Sequence, residues 1–231
     1  MKKGKQKVIF LLPCLNEVES IESSINFINS IKFDTRFVYE ICFVDGGSTD
    51  GTLEELRKFD VKILESSKGY GRQYQYAFSK LDCDYIITGD CDNSYPFDTA
   101  YKYFLNYIVD KDFEFISTNR FYDLHKGAMP KLRFIGNKIL TFYFNLIFGL
   151  RLSDSQSGMW IFKKSCLNKF NLNDNDMAFS EEIKIEAFKK LRKNRVIELP
   201  ISYFKRCGDS KLNFSHSYNN FFYLFIKKIK K

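Results

Sequence analysis

Two carboxylates one residue apart, Asp90 and Asp92 in "ITGDCDNSYPFD" (87–98), stand where an apolar run stops. At i and i+2 of an extended chain both side chains face the same way. Two hard oxygen ligands on one side suit Mg²⁺ or Mn²⁺ shared with substrate phosphates, with water completing the shell. The plain alternative is loop chemistry, because Asp, Asn and Pro also mark turns. A second acidic stretch, "VDGGSTDGT" (44–52), fails as a calcium loop, since Gly47 and Thr49 occupy positions that need oxygen-rich ligands. It reads as a tight turn capping the next helix through Ser48 or Asp50, leaving Asp45 to face a crevice and accept hydrogen bonds from a base or ribose. "KGYGRQ" (68–73) matches neither GxxxxGK[ST] nor a GxGxxG after a strand.

Further along, Arg133 and Asn137 are four residues apart, hence on one helix face, and a guanidinium binds phosphate well. The competing account is a basic solvated helix. Glu181 and Glu182 open a helical pattern, where acidic residues are favourable through the helix dipole alone. They receive no catalytic role.

These residues need a scaffold, and the first half of the chain supplies one. Near-continuous apolar runs at 7–15, 39–47, 61–66 and 83–90 read as strands buried on both faces. Helical periods at 16–31, 50–59 and 69–81 separate them. Such alternation predicts parallel βαβ units in a doubly wound, mostly parallel α/β sheet, whose ligands lie beyond the carboxyl ends of the strands. The polar clusters 13–17, 45–50, 68–72 and 90–92 fall there. After residue 98 the pattern weakens: strands are expected at 113–121, 157–164 and 195–206, one or two amphipathic helices over 130–150, and a helix over 180–194. With no repeat or linker, residues 1–231 parse as one domain, comprising a nucleotide-binding half (1–98) and an acceptor-binding half (99–231).

Bulk composition narrows the classes. The chain is 45% hydrophobic and 28% charged, so it is globular rather than disordered. A net charge of +8 favours an anionic partner, but no basic–aromatic recognition motif points to nucleic acid. The six cysteines, at 14, 42, 83, 91, 166 and 207, form no CxxC pair and read as reduced thiols. "MKKGKQKVIFLLP" is too short in its apolar part for a secretory signal, and no run of about 20 apolar residues spans a bilayer. Two segments are nevertheless too apolar for ordinary surface: "ILTFYFNLIFGL" (139–150) and the basic–aromatic tail (214–231), which ends "FFYLFIKKIKK". Both suit a membrane interface. The expectation is a peripheral protein on the cytoplasmic side of a membrane, released when residues 221–231 are removed.

"LPCLNE" (12–17), "VDGGSTD" (44–50) and "GDCD" (89–92), in that order, resemble the inverting family 2 glycosyltransferases of Rossmann-like GT-A fold. The stretch from Asn119 to Lys164, with "ELPISYFKRCGDSKL" (198–212), resembles their dolichyl-phosphate mannose synthase branch. That resemblance implies inverting, metal-dependent transfer of a sugar from a nucleoside diphosphate to a polyprenyl or dolichyl phosphate. It implies Pro13, Leu15, Glu17 and Asp45 at the nucleoside, Asp90 and Asp92 at the metal and diphosphate, and Arg206 and Lys211 clamping that diphosphate. Arg120, Arg133 and Asn137 would hold the acceptor phosphate, beside C-terminal amphipathic interfacial helices. Three positions depart from the branch: Ser94 replaces a metal-ligating Gln, Leu15 an aromatic, and Gly46 the second Asp of "DDGS". They shift the expected donor toward UDP-GlcNAc or UDP-glucose, with GDP-mannose the other candidate. Transfer to a sugar hydroxyl of a cell-surface glycan is the rival reaction. A nucleic-acid-binding module is the more distant one.

Overall fold

The computed structural model describes residues 4–208. Lys211 and the tail 214–231 lie outside the described residues. The chain builds one seven-stranded sheet of order β3-β2-β1-β4-β6-β5-β7. Strands β1 (Gln6–Cys14), β2 (Phe37–Asp45), β3 (Lys62–Glu65) and β4 (Tyr85–Thr88) are mutually parallel, as the alternating pattern requires. Helices α1 (Val18–Asn29), α2 (Thr52–Leu56) and α3 (Tyr70–Lys80) make the crossovers.

Residues of β1 alternate between the two sides of the sheet. Val8, Phe10 and Leu12 pack with Ile21, Ile25 and Ile28 of α1 in one core. Ile9 and Leu11 pack with Tyr74 and Ala77 of α3 in the other. Burial on both faces explains why this strand reads as an unbroken apolar run.

The second half departs from simple winding. β6 (Trp160–Lys163) runs antiparallel between β4 and β5 (Phe115–Leu124), and β7 (Val196–Tyr203) pairs parallel to β5. The sheet is therefore mixed at one side. An additional helix, α4 (Phe97–Tyr103), continues as a π-helical turn through Val109 and sends Phe97, Ala100 and Phe104 into the first core. The expected helical segment at 130–150 is one helix, α5 (Lys131–Phe148), closed by Gly149 at φ 65°. That left-handed C-cap favours glycine. Helix α6 (Phe179–Lys190) stops four residues before its expected end, because Leu191 is extended.

Candidate active site

The acidic pair lies beyond the end of β4, in a bend rather than on extended strand, with Asn93 at φ 63°. The strand argument for same-side carboxylates therefore does not apply, yet both carboxylates line one cavity. Asp92 is buried. Its Oδ1 accepts the Ser94 backbone N–H at 3.0 Å and the Ser94 hydroxyl. Its Oδ2 faces Arg206 Nη1 at 3.4 Å. Ser94 is fully buried and orients Asp92 instead of standing in as a weaker ligand.

Asp90 is half-buried at the cavity wall. Burial and the neighbouring Asp92 carboxylate push its pKa up to about 7, against the opposing pull of Arg206 and Arg120. Among the described residues no cluster of three or more His, Cys, Asp or Glu could hold a metal alone. Two crowded carboxylates fit a hard cation that completes its shell with phosphate oxygens and water. They do not form a closed protein cage. A divalent cation there would relieve the repulsion that raises Asp90.

Arg206 reaches this pair from just past the end of β7. The backbone carries it there: Phe204 N–H donates to Ser94 O at 3.0 Å, and Cys207 N–H donates to Asp92 O at 2.8 Å. Its guanidinium also meets Glu17 Oε1 at 3.2 Å. Asp92 and Glu17 raise its pKa despite partial burial, so it is a permanent cation.

A cavity of 190 Å³ holds Pro13, Leu15, Glu17, Asp90, Asp92 and Arg206. The structure thus gathers six of the residues expected at the donor. Asp45 does not line it. Its carboxylate is buried and turned onto its own loop, accepting Gly47 N–H at 2.8 Å and Ser48 N–H at 3.0 Å. It shapes the turn instead of facing the crevice. Asp50 lies one residue before the Gly51 N-cap of α2 and joins two helix starts, accepting Val18 N–H at 3.1 Å and Thr52 N–H at 3.0 Å.

Gln73 of α3 escaped the sequence reading. Its buried amide donates to Cys14 O at 2.9 Å and Val44 O at 2.6 Å, tying the ends of β1 and β2 beneath the cavity. A Cβ at position 46 would approach Gln73 Nε2 at 3.0 Å, which accounts for Gly46. The "KGYGRQ" stretch is no phosphate cradle: the Gly71 and Arg72 N–H groups are taken by Asp176 O at 3.2 Å and Asn175 O at 3.0 Å.

A second cavity, of 90 Å³, opens beside the first and holds Arg120, Arg133 and Asn137 together with Gln156 and Gly158. Arg120 is 7% exposed and makes a bidentate ion pair with fully buried Asp154, at 2.7 and 3.0 Å. Arg120 lines the cavity with its charge already balanced by Asp154. Asp154 belongs to the polar run "SDSQSG" (153–158), whose loop is pinned from below. Buried Lys184 of α6 donates to Ser155 O and Ser157 O, each at 2.6 Å. Burial lowers the Lys184 pKa to about 7 and raises that of Glu181 to about 8. Glu181 Oε1 accepts the Gln156 amide, and Glu182 accepts Asn173 and Asp174 N–H at 3.0 and 2.9 Å. Both glutamates are fully buried and hold loops. They stand in the first turn of α6, as the helix-dipole reading has them.

The two cavities share Tyr70, Asp90, Met177 and Arg206, so their contents would meet there.

The family model described as Glycosyl transferase family 2 matches residues 9–170. Low-salt glycan biosynthesis hexosyltransferase Agl6 of Haloferax volcanii is 32% identical over 205 residues, 87% of this chain and 49% of that protein. Dolichyl-phosphate hexose transferase of the same organism is 31% identical over 201 residues, 86% of this chain and 83% of that protein. The chain spans about half the length of the first relative and most of the second. The crystal structure of glucosyl-3-phosphoglycerate synthase from Mycobacterium tuberculosis with Mn²⁺, UDP and glucosyl-3-phosphoglycerate superposes with a TM-score of 0.76 at 14% identity, covering 96% of this chain and 80% of that one. This likeness shows a common GT-A fold.

Proposed function

The chain belongs to glycosyl transferase family 2 and is a glycosyltransferase, and from that premise we propose that it transfers a hexose, with inversion, from a nucleoside diphosphate to a polyprenyl or dolichyl phosphate. The observation that carries this reading is the pair of adjoining cavities, one bearing the acidic pair and the other Arg120, Arg133 and Asn137. A relative named for dolichyl-phosphate hexose transfer supports the acceptor class. UDP complexes of the structural neighbour support a uridine donor, UDP-GlcNAc or UDP-glucose before GDP-mannose.

Asp90 and Asp92 would hold Mg²⁺ or Mn²⁺; neighbours of the same fold are crystallised with those ions. A bound cation would offset charge on the leaving diphosphate. Arg206 supplies fixed positive charge at the same place, preorganised by Asp92 and Glu17. Lys211 belongs to the same proposed clamp from outside the described residues. Arg133 and Asn137 orient the acceptor phosphate. That phosphate has a second pKa near 6, so at neutral pH it is largely a dianion and attacks without a general base. Positioning then carries much of the rate.

Transfer to a sugar hydroxyl would need a base. Glu181 is a poor one: it is fully buried behind Gln156, lines neither cavity, and has its pKa pushed up to about 8 by burial. Incubation with radiolabelled UDP-GlcNAc, UDP-glucose and GDP-mannose, each with polyprenyl and dolichyl phosphate, tests the reading. Label extracted into organic solvent supports it. Label confined to water-soluble product overturns it.

Arg133→Ala is expected to raise the acceptor KM about 10- to 100-fold, the worth of charge-assisted hydrogen bonds to phosphate. Donor affinity should stay within about threefold. Steady-state kinetics with each substrate varied in turn will show it, and equal loss of donor binding would assign the helix to the other substrate.

The proposed setting is a membrane surface on its cytoplasmic side. No helix of the described residues is long and apolar enough to cross a membrane. On α5, however, Leu132, Phe142 and Leu146 are 63, 63 and 66% exposed, with Ile135 and Ile139 also exposed along the same helix. Burying such side chains contributes roughly 1.5–3 kcal/mol each, and nearby lysines about 1 kcal/mol each at an anionic surface. Replacing Phe142 and Leu146 by Glu should weaken vesicle co-sedimentation by at least about 30-fold, with nucleotide binding unchanged. Retained binding to anionic vesicles would remove α5 from the interface.

A further inference from the structure

Tyr70 and Met177 are left over once the shared wall of the two cavities is assigned. Asp90 and Arg206 belong to the diphosphate in the reading above, on which this inference rests. The transferred sugar must lie between leaving diphosphate and attacking phosphate, because its anomeric carbon bonds to each in turn. We infer that Tyr70 and Met177 form the sugar subsite, with the Tyr70 hydroxyl hydrogen-bonding a sugar hydroxyl and the Met177 side chain packing on the ring.

The placement of Tyr70 is fixed from several directions. It is the first residue of α3, entered through Gly69 at φ 138°, a conformation that favours glycine. Its ring meets Tyr74 edge-on, with centroids 5.0 Å apart and planes at 76°. Its hydroxyl lies over Gly158, where a Cβ would come within 2.5 Å of it. Glycine at 158 thus leaves the space this phenol occupies, between the SDSQSG loop and Asp90. Burial raises the phenol pKa well above its ordinary value, so it stays neutral and can both donate and accept.

Met177 is tied to Tyr70 through the backbone. The preceding loop is hydrogen-bonded to the start of α3 through Gly71 N–H and Arg72 N–H, and a Cβ at Gly71 would collide with Asp174 O. Two walls of one subsite are therefore carried by a single joint. A rigid apolar wall bearing one neutral hydroxyl can discriminate between sugars. A site that hydrogen-bonds a substrate hydroxyl disfavours the analogue lacking it, because the site's own polar group is left unpaired.

Calorimetric titration in Mn²⁺ without any acceptor tests this, using UDP against UDP-GlcNAc and UDP-glucose, and GDP against GDP-mannose. Tyr70→Phe should weaken the nucleotide sugar that wild type binds best by about tenfold, the worth of one neutral hydrogen bond, while the matching nucleoside diphosphate stays within about twofold. Gly158→Ala, which displaces the hydroxyl without removing it, should produce the same selective loss. An unchanged nucleotide-sugar Kd in Tyr70→Phe overturns the subsite. So does an equal loss for sugar-free nucleotide. Because no acceptor is present, failure of lipid phosphate as acceptor leaves this result standing, and lipid incorporation with an unaltered Tyr70→Phe overturns the subsite alone.

Discussion

Asp90→Asn should abolish transfer, by about 10³-fold or more, while leaving thermal stability unchanged or slightly raised. The loss follows from removing half of an acidic pair that faces the donor cavity, where a single electrostatic group is worth about 10²–10³ in rate and a cation site is worth more. The stability follows from crowding: Asp90 is pushed up to about 7 by burial and by Asp92, so a neutral amide relieves repulsion. Asp92→Asn should lose as much activity but also melt several degrees lower, since it breaks the contact with Arg206 at 3.4 Å that holds the segment after β7. Excess chelator should reproduce the kinetic defect in wild type, with Mn²⁺ or Mg²⁺ restoring it only there. Turnover of Asp90→Asn within tenfold of wild type would remove the pair from the chemistry, and full wild-type activity in chelator would remove the cation.

That contrast between neighbouring aspartates could not be read from "GDCDNS" itself. The sequence marks a polar bend after an apolar strand, and the alternation of strand and helix puts that bend at the sheet's carboxyl edge. Burial is decided by a segment more than a hundred residues further along the chain: Phe204 N–H donates to Ser94 O and Cys207 N–H donates to Asp92 O, so the stretch after β7 closes over Asp92. Asp45 misled for a related reason. Its carboxylate was free to face the crevice until the turn at 46–48 offered two N–H groups at 2.8 and 3.0 Å. Local pattern carries strand and helix positions because apolar period is a local property. It carries β1 to β4 well, although β3 and β4 lie on opposite sides of the β2–β1 pair. It also locates β6 within the strand expected at 157–164, but not that strand's antiparallel insertion between β4 and β5, which is a long-range property. Buried polar partnerships such as Gln73 with two strand ends leave no periodic trace at all. The second cavity left two traces: Arg133 and Asn137 four residues apart on one helix face, and six consecutive polar or small residues, "SDSQSG", shortly before an apolar strand.

Asp154→Ala should be the most destabilising single change near the site, by about 3–5 kcal/mol, or roughly 10 °C in Tm for a chain of this size. Arg120 is nine-tenths buried and its guanidinium is matched by both Asp154 oxygens, so truncation leaves a buried cation unbalanced. Asp154 also accepts Gln156 N–H at 2.9 Å, and the loop beside the second cavity loosens with it. Arg120 holds the Asp154 carboxyl below the usual carboxylate range, so the ion pair is intact at neutral pH and is lost only as pH falls through that depressed value. A double variant, Arg120→Met with Asp154→Leu, separates stability from function. Replacing both charges by apolar groups of similar size is often neutral or stabilising, so the melting temperature should recover most of the loss. Acceptor affinity should not recover, since the guanidinium donors that line the second cavity are gone. A double variant as unstable as Asp154→Ala would show that the pair is not the source of the effect. One that binds acceptor as wild type does would confine Arg120 to architecture and leave Arg133 and Asn137 to hold the phosphate.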